Sequence, residues 1–362
     1  MNRHSHQLAC TMACAFAMLA ESAQAQAPEP TPASCAPLAA DGARLSCYDQ
    51  LFRHSNAPAS ATSPATPAEA MPAPRPARET QPLIKGPALV EQETLTHKWD
   101  LTDGEPGELF TLRTYESNYL LPLHDSSNIN RAPSSPTRSG ATYQGNYRPL
   151  EAKFQLSLRA KMADNLLLPY ASLWFAYTQQ SLWQVWNRQD SAPFRSTDYQ
   201  PEAIYVVPVP DMLQRLPADW RWRMVQLAFA HQSNGQSNPL SRSWNRVYAG
   251  LAFDRGPFAL QLRAHHRLKE SSDDDNPDLT DYIGNAETTL NWVSNRSAAS
   301  LTWRTNAKYL GRGSVKADWS YPVDSANPAG LRWNLQVFSG YGETLLDYNH
   351  RQTSVGVGFK LF

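Results

Sequence analysis

A serine hydroxyl is a poor nucleophile until a base takes its proton, and histidine does this near neutral pH. The histidine in turn needs an acceptor for its other ring nitrogen. Residue types for all three tasks occur between Val225 and Leu251. Strand alternation puts Val225, Leu227, Phe229, His231 and Ser233 on one face, and Gln226, Ala228, Ala230 and Gln232 on the other. The following arm places Ser243, Asn245, Val247, Ala249 and Leu251 on one face as well. A turn centred on Asn238 sets His231 opposite Asn245 as a cross-strand pair. His231 and Ser233 then stand about 7 Å apart at Cβ, a gap that rotamer choice can close. Ser233 is thus a candidate nucleophile, His231 its base and Asn245 the orienting residue. A histidine two residues before a serine is commonplace on protein surfaces. Three such groups at the end of an apolar stripe are not, because polar groups facing lipid are costly.

Neighbouring residues extend or fail to extend this chemistry. The Gly235 N–H lies close enough in sequence to Ser233 to help bind an oxyanion. Ser237, in Gly235-Gln236-Ser237-Asn238-Pro239, lacks the second glycine and the following helix of a nucleophile elbow, so it reads as a turn residue. Asp273-Asp274-Asp275-Asn276-Pro277-Asp278 is rich in oxygen ligands but lacks EF-hand spacing, and by itself is a solvated acidic loop. His265-His266 and His350 form no metal-binding spacing.

The elements that must position these residues are strands. Phe154, Leu156 and Leu158 alternate with Gln155, Ser157 and Arg159. Leu173, Phe175 and Tyr177 follow, then Phe258, Leu260 and Leu262, then Leu331, Trp333, Leu335 and Val337. Val355, Val357, Phe359 and Leu361 close the chain, with Phe362 out of phase. About twelve such runs occupy residues 108–362, an even number. Ala163-Asp164, Arg255-Gly256-Pro257 and Ser294-Asn295-Arg296 read as short turns, while stretches near 124–150, 186–200, 271–279 and 341–352 are long and polar. Short turns on one side and long loops on the other predict a twelve-stranded antiparallel transmembrane β-barrel. Counting strands from the periplasm makes the Val225 arm the fifth, so His231 and Ser233 sit at its outer end, facing lipid.

Composition agrees with this reading. The 362 residues carry zero formal net charge and only 18% charged residues, so no nucleic-acid footprint is present. They include 11 Trp and 15 Tyr, and beyond the N-terminus no apolar run approaches the ~20 residues of a membrane helix. A soluble β-sandwich is the competing fold on composition alone.

Residues 1–25 read as a secretory signal: Arg3, an apolar core from Leu8 to Ala20, and an Ala23-Gln24-Ala25 cleavage site. A lipoprotein signal ending at Cys10 would leave too short an apolar stretch. Removal of Cys10 and Cys14 with the signal leaves Cys35 and Cys47, and a Cys35–Cys47 disulfide is the default in an oxidising compartment. Residues 26–54 are therefore expected as a small periplasmic segment, and 55–107 as a Pro/Ala-rich disordered linker and lead-in.

Residues 108–362 resemble the outer-membrane phospholipase A family of Gram-negative bacteria. The resemblance is carried by Tyr177 to Gln184, Ser191 to Pro201, His231 to Gly235, Ser241 to Arg246, Asp274 to Asp278, and Ser339 to Asn349. The first 107 residues lie outside it. It implies calcium-dependent hydrolysis of phospholipid and lysophospholipid acyl esters, of phospholipase A1 and A2 type, by an outer-membrane barrel active as a homodimer. By motif position it implies Ser233, His231 and Asn245 as the catalytic set. Gly235 would bind the oxyanion with calcium-bound water. It implies calcium held by the Gln236 backbone carbonyl, the Ser241 hydroxyl and a carbonyl at Ser191 of the partner subunit, and Gln179 bonding across the dimer. A second, weaker calcium site would use Asp275, but its other aspartate falls at Asn238, which should weaken it. Gln236 replaces an arginine, of little consequence if only its carbonyl binds. Two other readings stand beside this one: a catalytically silent barrel or porin, and a binding or tethering module in the N-terminal region.

Overall fold

Backbone N–H and C=O groups cannot go unpaired in lipid, so strands that cross it must close on themselves. The computed structural model of this chain describes residues 35, 37, 39–52, 94–101, 108–138, 140–141, 143–270 and 273–361. The signal of residues 1–25 and nearly all of the linker lie outside the described residues. The chain divides into two units, residues 1–79 and 80–362. In the first, helix α1 (Asp41–Phe52) carries Cys47, which is bonded to Cys35 at a Cα–Cα distance of 5.6 Å.

The second unit is a closed antiparallel barrel. Its strands are β1 (Arg113–Thr114), β2 (Asn118–Ser126), β3 (Leu150–Asp164), β4 (Ser172–Trp183), β5 (Phe194–Pro208), β6 (Arg221–Ser233) and β7 (Ser243–Arg255). They continue as β8 (Phe258–Leu268), β9 (Ala286–Val293), β10 (Ala298–Thr305), β11 (Ser314–Pro322), β12 (Arg332–Tyr341) and β13 (Arg351–Leu361). Each strand from β2 to β13 pairs with its neighbour in sequence, and β13 pairs back onto β2, which closes the twelve-stranded ring. The two-residue β1 pairs with β3 just beyond the reach of β2.

Burial runs opposite to that of a soluble protein. On β3, Leu156 is 46% exposed while Lys153, Gln155, Ser157, Arg159 and Lys161 are buried. Leu227, Phe229, Trp303, Trp319, Trp333 and Val355 are exposed in the same way on other strands. An apolar outer wall and a polar interior are what a bilayer selects, and a single closed sheet excludes the β-sandwich.

The interior is packed rather than open. Lys153 bonds to Glu343 at 2.8 Å and to Gln336 at 2.7 Å, with His124 2.9 Å from the same Glu343 oxygen. Arg195 bridges Glu151 and Asp347, each at 2.8 Å. Two polar cavities of about 110 and 140 Å³ remain inside the barrel. That is too little for the solute channel that a porin reading requires.

Both ends are stopped. Helix α2 (Leu95–Trp99) buries Leu95 and Trp99 among Tyr115, Trp174, Ile204, Val206 and Met224. Arg159 stacks 4.0 Å over the Trp99 ring, and Asp100 binds Arg113 at 2.6 Å and Lys161 at 3.0 Å. Residues 94–101 are thus a seated helix, where the sequence suggests part of a linker and lead-in. At the opposite end, α4 (Leu279–Ile283) packs Leu279 and Ile283 with Trp244, Leu345 and Tyr348.

The connections differ in part from the sequence reading. Ala163 and Asp164 end β3, and the turn spans 165–171. Residues 194–200 belong to β5, so that loop is only 184–193. On the side of the short turns, 209–220 contains the helical turn α3 (Asp211–Gln214), and 323–331 is also extended. The strand phase shifts near Phe359 have a steric cause. Pro122 has no N–H to give, and the β2–β3 register shifts between Leu121 and His124. The β13–β2 register shifts between Val357 and Phe359, and a Cβ on Gly358 would stand 2.1 Å from the Leu120 carbonyl oxygen. Phe362 itself lies outside the described residues.

Candidate active site

The β6–β7 ladder pairs Leu227 with Ala249, Phe229 with Val247 and His231 with Asn245. Phe229 and Val247 are exposed, and Ala228, Ala230, Arg246 and Tyr248 are buried, so His231, Ser233 and Asn245 share the outward face. His231 Nδ1 lies 2.9 Å from Asn245 Oδ1. Ser233 stands one rung further out, paired with Ser243 on one side and Tyr199 on the other. Its hydroxyl is not hydrogen-bonded to His231 here, a looseness common before substrate binds. Pro201 cannot donate to a ladder, and β5–β6 pairing lapses between Tyr199↔Ser233 and Glu202↔Ala230, alongside His231 and Gln232.

The turn that follows is held by a residue the motif does not advertise. Asn234 is buried; its Oδ1 accepts from the Arg242 N–H at 2.9 Å and the Gln236 N–H at 3.3 Å. Its Nδ2 donates to the Leu240 carbonyl at 2.8 Å. Gly235 takes φ +62°, and a Cβ there would meet the Tyr199 ring at 3.1 Å, so both the backbone and the space favour glycine. Gln232, between His231 and Ser233, faces inward, where its Oε1 accepts from Trp244 Nε1 at 3.0 Å. Alternation alone assigns Gln232 and Asn234 to the inner face; it does not say what they bind.

Residues expected to hold calcium fall around this turn. Gln236 donates through Nε2 to the Arg195 carbonyl at 3.2 Å, while its Oε1 is buried with no partner. Ser241 donates to Asp275 Oδ2 at 2.5 Å. Ser191, exposed and with φ 59°, lies in the neighbouring outer loop 184–193. Oxygen donors of this kind, carbonyl and hydroxyl, suit a hard cation such as Ca²⁺. Asn238 is exposed at the tip, joined to Pro239 by a cis peptide bond. Asp275, expected in a second ion site, is bonded here through both carboxylate oxygens and its carbonyl. Arg138 Nε donates to its Oδ1 at 2.7 Å, and the Ser135 hydroxyl donates to its carbonyl at 2.6 Å. Its charge is therefore already met by a guanidinium, and its free oxygen supports Ser241. On β4, Gln179 Oε1 accepts from the Tyr177 hydroxyl at 3.2 Å.

One further group reaches the site. Asn245 Nδ2 donates to Glu270 Oε1 at 3.3 Å. Burial, then the Asp274 carboxylate, raise the Glu270 pKa above the usual glutamate value. Glu270 lies two residues beyond Leu268, the end of β8, which pairs with Asn245.

The arrangement sets a serine hydroxyl beside an imidazole that is held through Nδ1, next to the glycine turn at Gly235. Comparisons with known proteins bear on the family of the chain. The family model for phospholipase A1 matches residues 95–361. A Neisseria meningitidis serogroup B protein, provisionally named phospholipase A1, is 36% identical over 356 residues, 91% of this chain and 90% of that protein. Similarity thus reaches into the first 107 residues, beyond the extent read from motifs. The Salmonella typhi outer membrane phospholipase, solved as a dimer with bound calcium, superposes with a TM-score of 0.62 at 36% identity, covering 72% of this chain and 95% of that one. An asparagine-to-alanine active-site mutant of Escherichia coli outer membrane phospholipase A gives a TM-score of 0.62 at 33% identity, covering 71% and 94%. With the match running from the seated helix to the last barrel strand, the chain belongs to the phospholipase A1 family.

Proposed function

We propose that this protein is a calcium-dependent esterase of the outer membrane that hydrolyses acyl esters of phospholipids and lysophospholipids, at both the A1 and A2 positions. The observation that carries the reading is the His231–Asn245 pair on the lipid-facing wall beside Ser233. An ester in the outer leaflet meets these side chains without leaving the membrane. Ser233 Oγ attacks the acyl carbonyl carbon while its proton passes to His231 Nε2. Asn245 accepts from Nδ1 and keeps the ring in the tautomer this requires. The Gly235 N–H donates to the oxyanion of the tetrahedral intermediate. His231 then returns the proton to the departing glycerol oxygen, leaving an acyl ester on Ser233. Water, deprotonated by His231, cleaves that ester and releases the fatty acid.

Gln236 through its carbonyl, Ser241 through its hydroxyl and Ser191 of the partner subunit through its carbonyl would hold calcium. When bound, the ion supplies positive charge next to the developing oxyanion. The Ser241 hydroxyl, whose proton is already given to Asp275, supports oxygen ligation at this turn. Because one ligand would come from a second barrel, activity is tied to dimerisation. The barrel is integral to the outer membrane; residues 1–25 serve as the export signal, 26–54 lie in the periplasm, and the stretch from 55 to the seated helix is a tether. The test is fatty-acid release from phospholipid by the purified full-length protein. Calcium should support it, chelator should abolish it, and Ser233→Ala should lower kcat by about 10⁴-fold or more. Release that survives both chelator and Ser233→Ala would overturn the reading.

A further inference from the structure

We propose that Glu270 is a positioning residue for the hydrolytic set: it fixes the side-chain amide of Asn245 and, through it, the tautomer of His231. The inference rests on the proposed roles of Ser233, His231 and Asn245. An asparagine in the orienting position has a weakness that an aspartate lacks. A carboxylate presents acceptors on both sides, whereas an amide presents an acceptor on one side and a donor on the other. Rotated by half a turn, Asn245 would aim its NH₂ at His231 Nδ1. That nitrogen would then have to accept, the ring proton would move to Nε2, and Nε2 could no longer take the Ser233 proton.

Glu270 removes the ambiguity. As a carboxylate it only accepts, and its Oε1 lies 3.3 Å from Asn245 Nδ2. The NH₂ group must therefore face Glu270 and Oδ1 must face the imidazole, as the 2.9 Å contact with Nδ1 has it. Donor and acceptor assignments are then forced from Glu270 to Ser233 without a free choice. The fold delivers Glu270 by simple register. Asn245 pairs with Leu268 at the end of β8, and Glu270, two residues on, lies within hydrogen-bond reach of its amide. Its charged surroundings are Arg267 on β8, Asp274 and Asp275 in the loop, and His231 across the site. The two aspartates and burial raise the Glu270 pKa, and Arg267 and His231 oppose them. Protonated, Glu270 could donate as well as accept, so the amide would lose its enforced orientation as pH falls.

The experiment compares Glu270→Ala, Glu270→Gln, Asn245→Ala, Asn245→Asp and Glu270→Ala/Asn245→Asp in the full-length protein at saturating calcium. Glu270→Ala should lower kcat about tenfold with KM unchanged, and Glu270→Gln, which can still accept, should recover part of it. In the Asn245→Asp background the same Glu270→Ala change should cost nothing, because an aspartate needs no orienting. Imidazole ¹⁵N spectra, with His231 identified by loss of its signal in His231→Gln, should show Nδ1–H in the wild type and a growing Nε2–H population in Glu270→Ala. A Glu270→Ala kcat within twofold of wild type, or an unchanged His231 tautomer, overturns the proposal. So does an equal loss in the Asn245→Asp background, which would mark a structural role. If Asn245→Ala itself leaves kcat intact, the hydrolytic assignment falls, and Glu270 with it.

Discussion

Ser241 shows how a single proton can decide what a hydroxyl does. Its hydrogen goes to Asp275 Oδ2, and Asp275 is itself steadied by Arg138 on its other oxygen. The lone pairs of Ser241 are thereby left for a cation, with no proton to repel it. Ser241→Ala should weaken calcium binding by about tenfold or more, read by calorimetry on the full-length protein; unchanged affinity would remove Ser241 from the ligand set. The His231–Asn245 contact was legible from arithmetic alone, since a turn centred on Asn238 makes the two positions equidistant from it. Arg138, Asn234 and Glu270 were not legible. Arg138 and Glu270 act through contacts between separate segments, and Asn234 through bonds inside its own turn; strand parity is silent about both.

At the scale of elements, the strands were readable because a bilayer imposes a strict two-residue period on each crossing. Leu156 and Lys153 could be assigned to opposite faces from the string of letters. The seated helix α2 was not, because five residues give too few turns for a periodic signal and the preceding stretch is dominated by Pro and Ala. Its role follows from what it covers. Trp99 is 2% exposed, lies 5.5 Å from Trp174 and 6.0 Å from Tyr115 between ring centroids, and carries Arg159 on its face. Trp99→Ala should therefore destabilise the barrel by about 3–5 kcal/mol. Urea-dependent loss of barrel structure in vesicles measures it, with kcat in the folded protein little changed. A loss below about 1 kcal/mol, the range of ordinary surface substitutions, would show that the helix is not part of the cooperative unit.

The whole molecule divides its labour between an inside that is fixed and an outside that reacts. Arg195, with side-chain exposure of 0%, joins Glu151 and Asp347 within the barrel, and its carbonyl also receives Gln236 from the catalytic turn. The interior thus braces the turn from behind while the reacting side chains look outward. On the proposed ion site, completed by Ser191 of the partner subunit, a lone barrel should be nearly inactive. Detergent conditions shown by sedimentation to leave only monomers should reduce turnover by at least about tenfold at saturating calcium, and undiminished turnover would argue against a shared site. Among the described residues the interior is filled by polar side chains, so the barrel acts as a pillar with an apolar flank. Substrate arrives, and fatty acid and lysolipid depart, by sideways diffusion within one leaflet. Turnover should then follow the mole fraction of substrate in the surface rather than its bulk concentration, and adding inert lipid should slow the enzyme even when the total amount of substrate is unchanged.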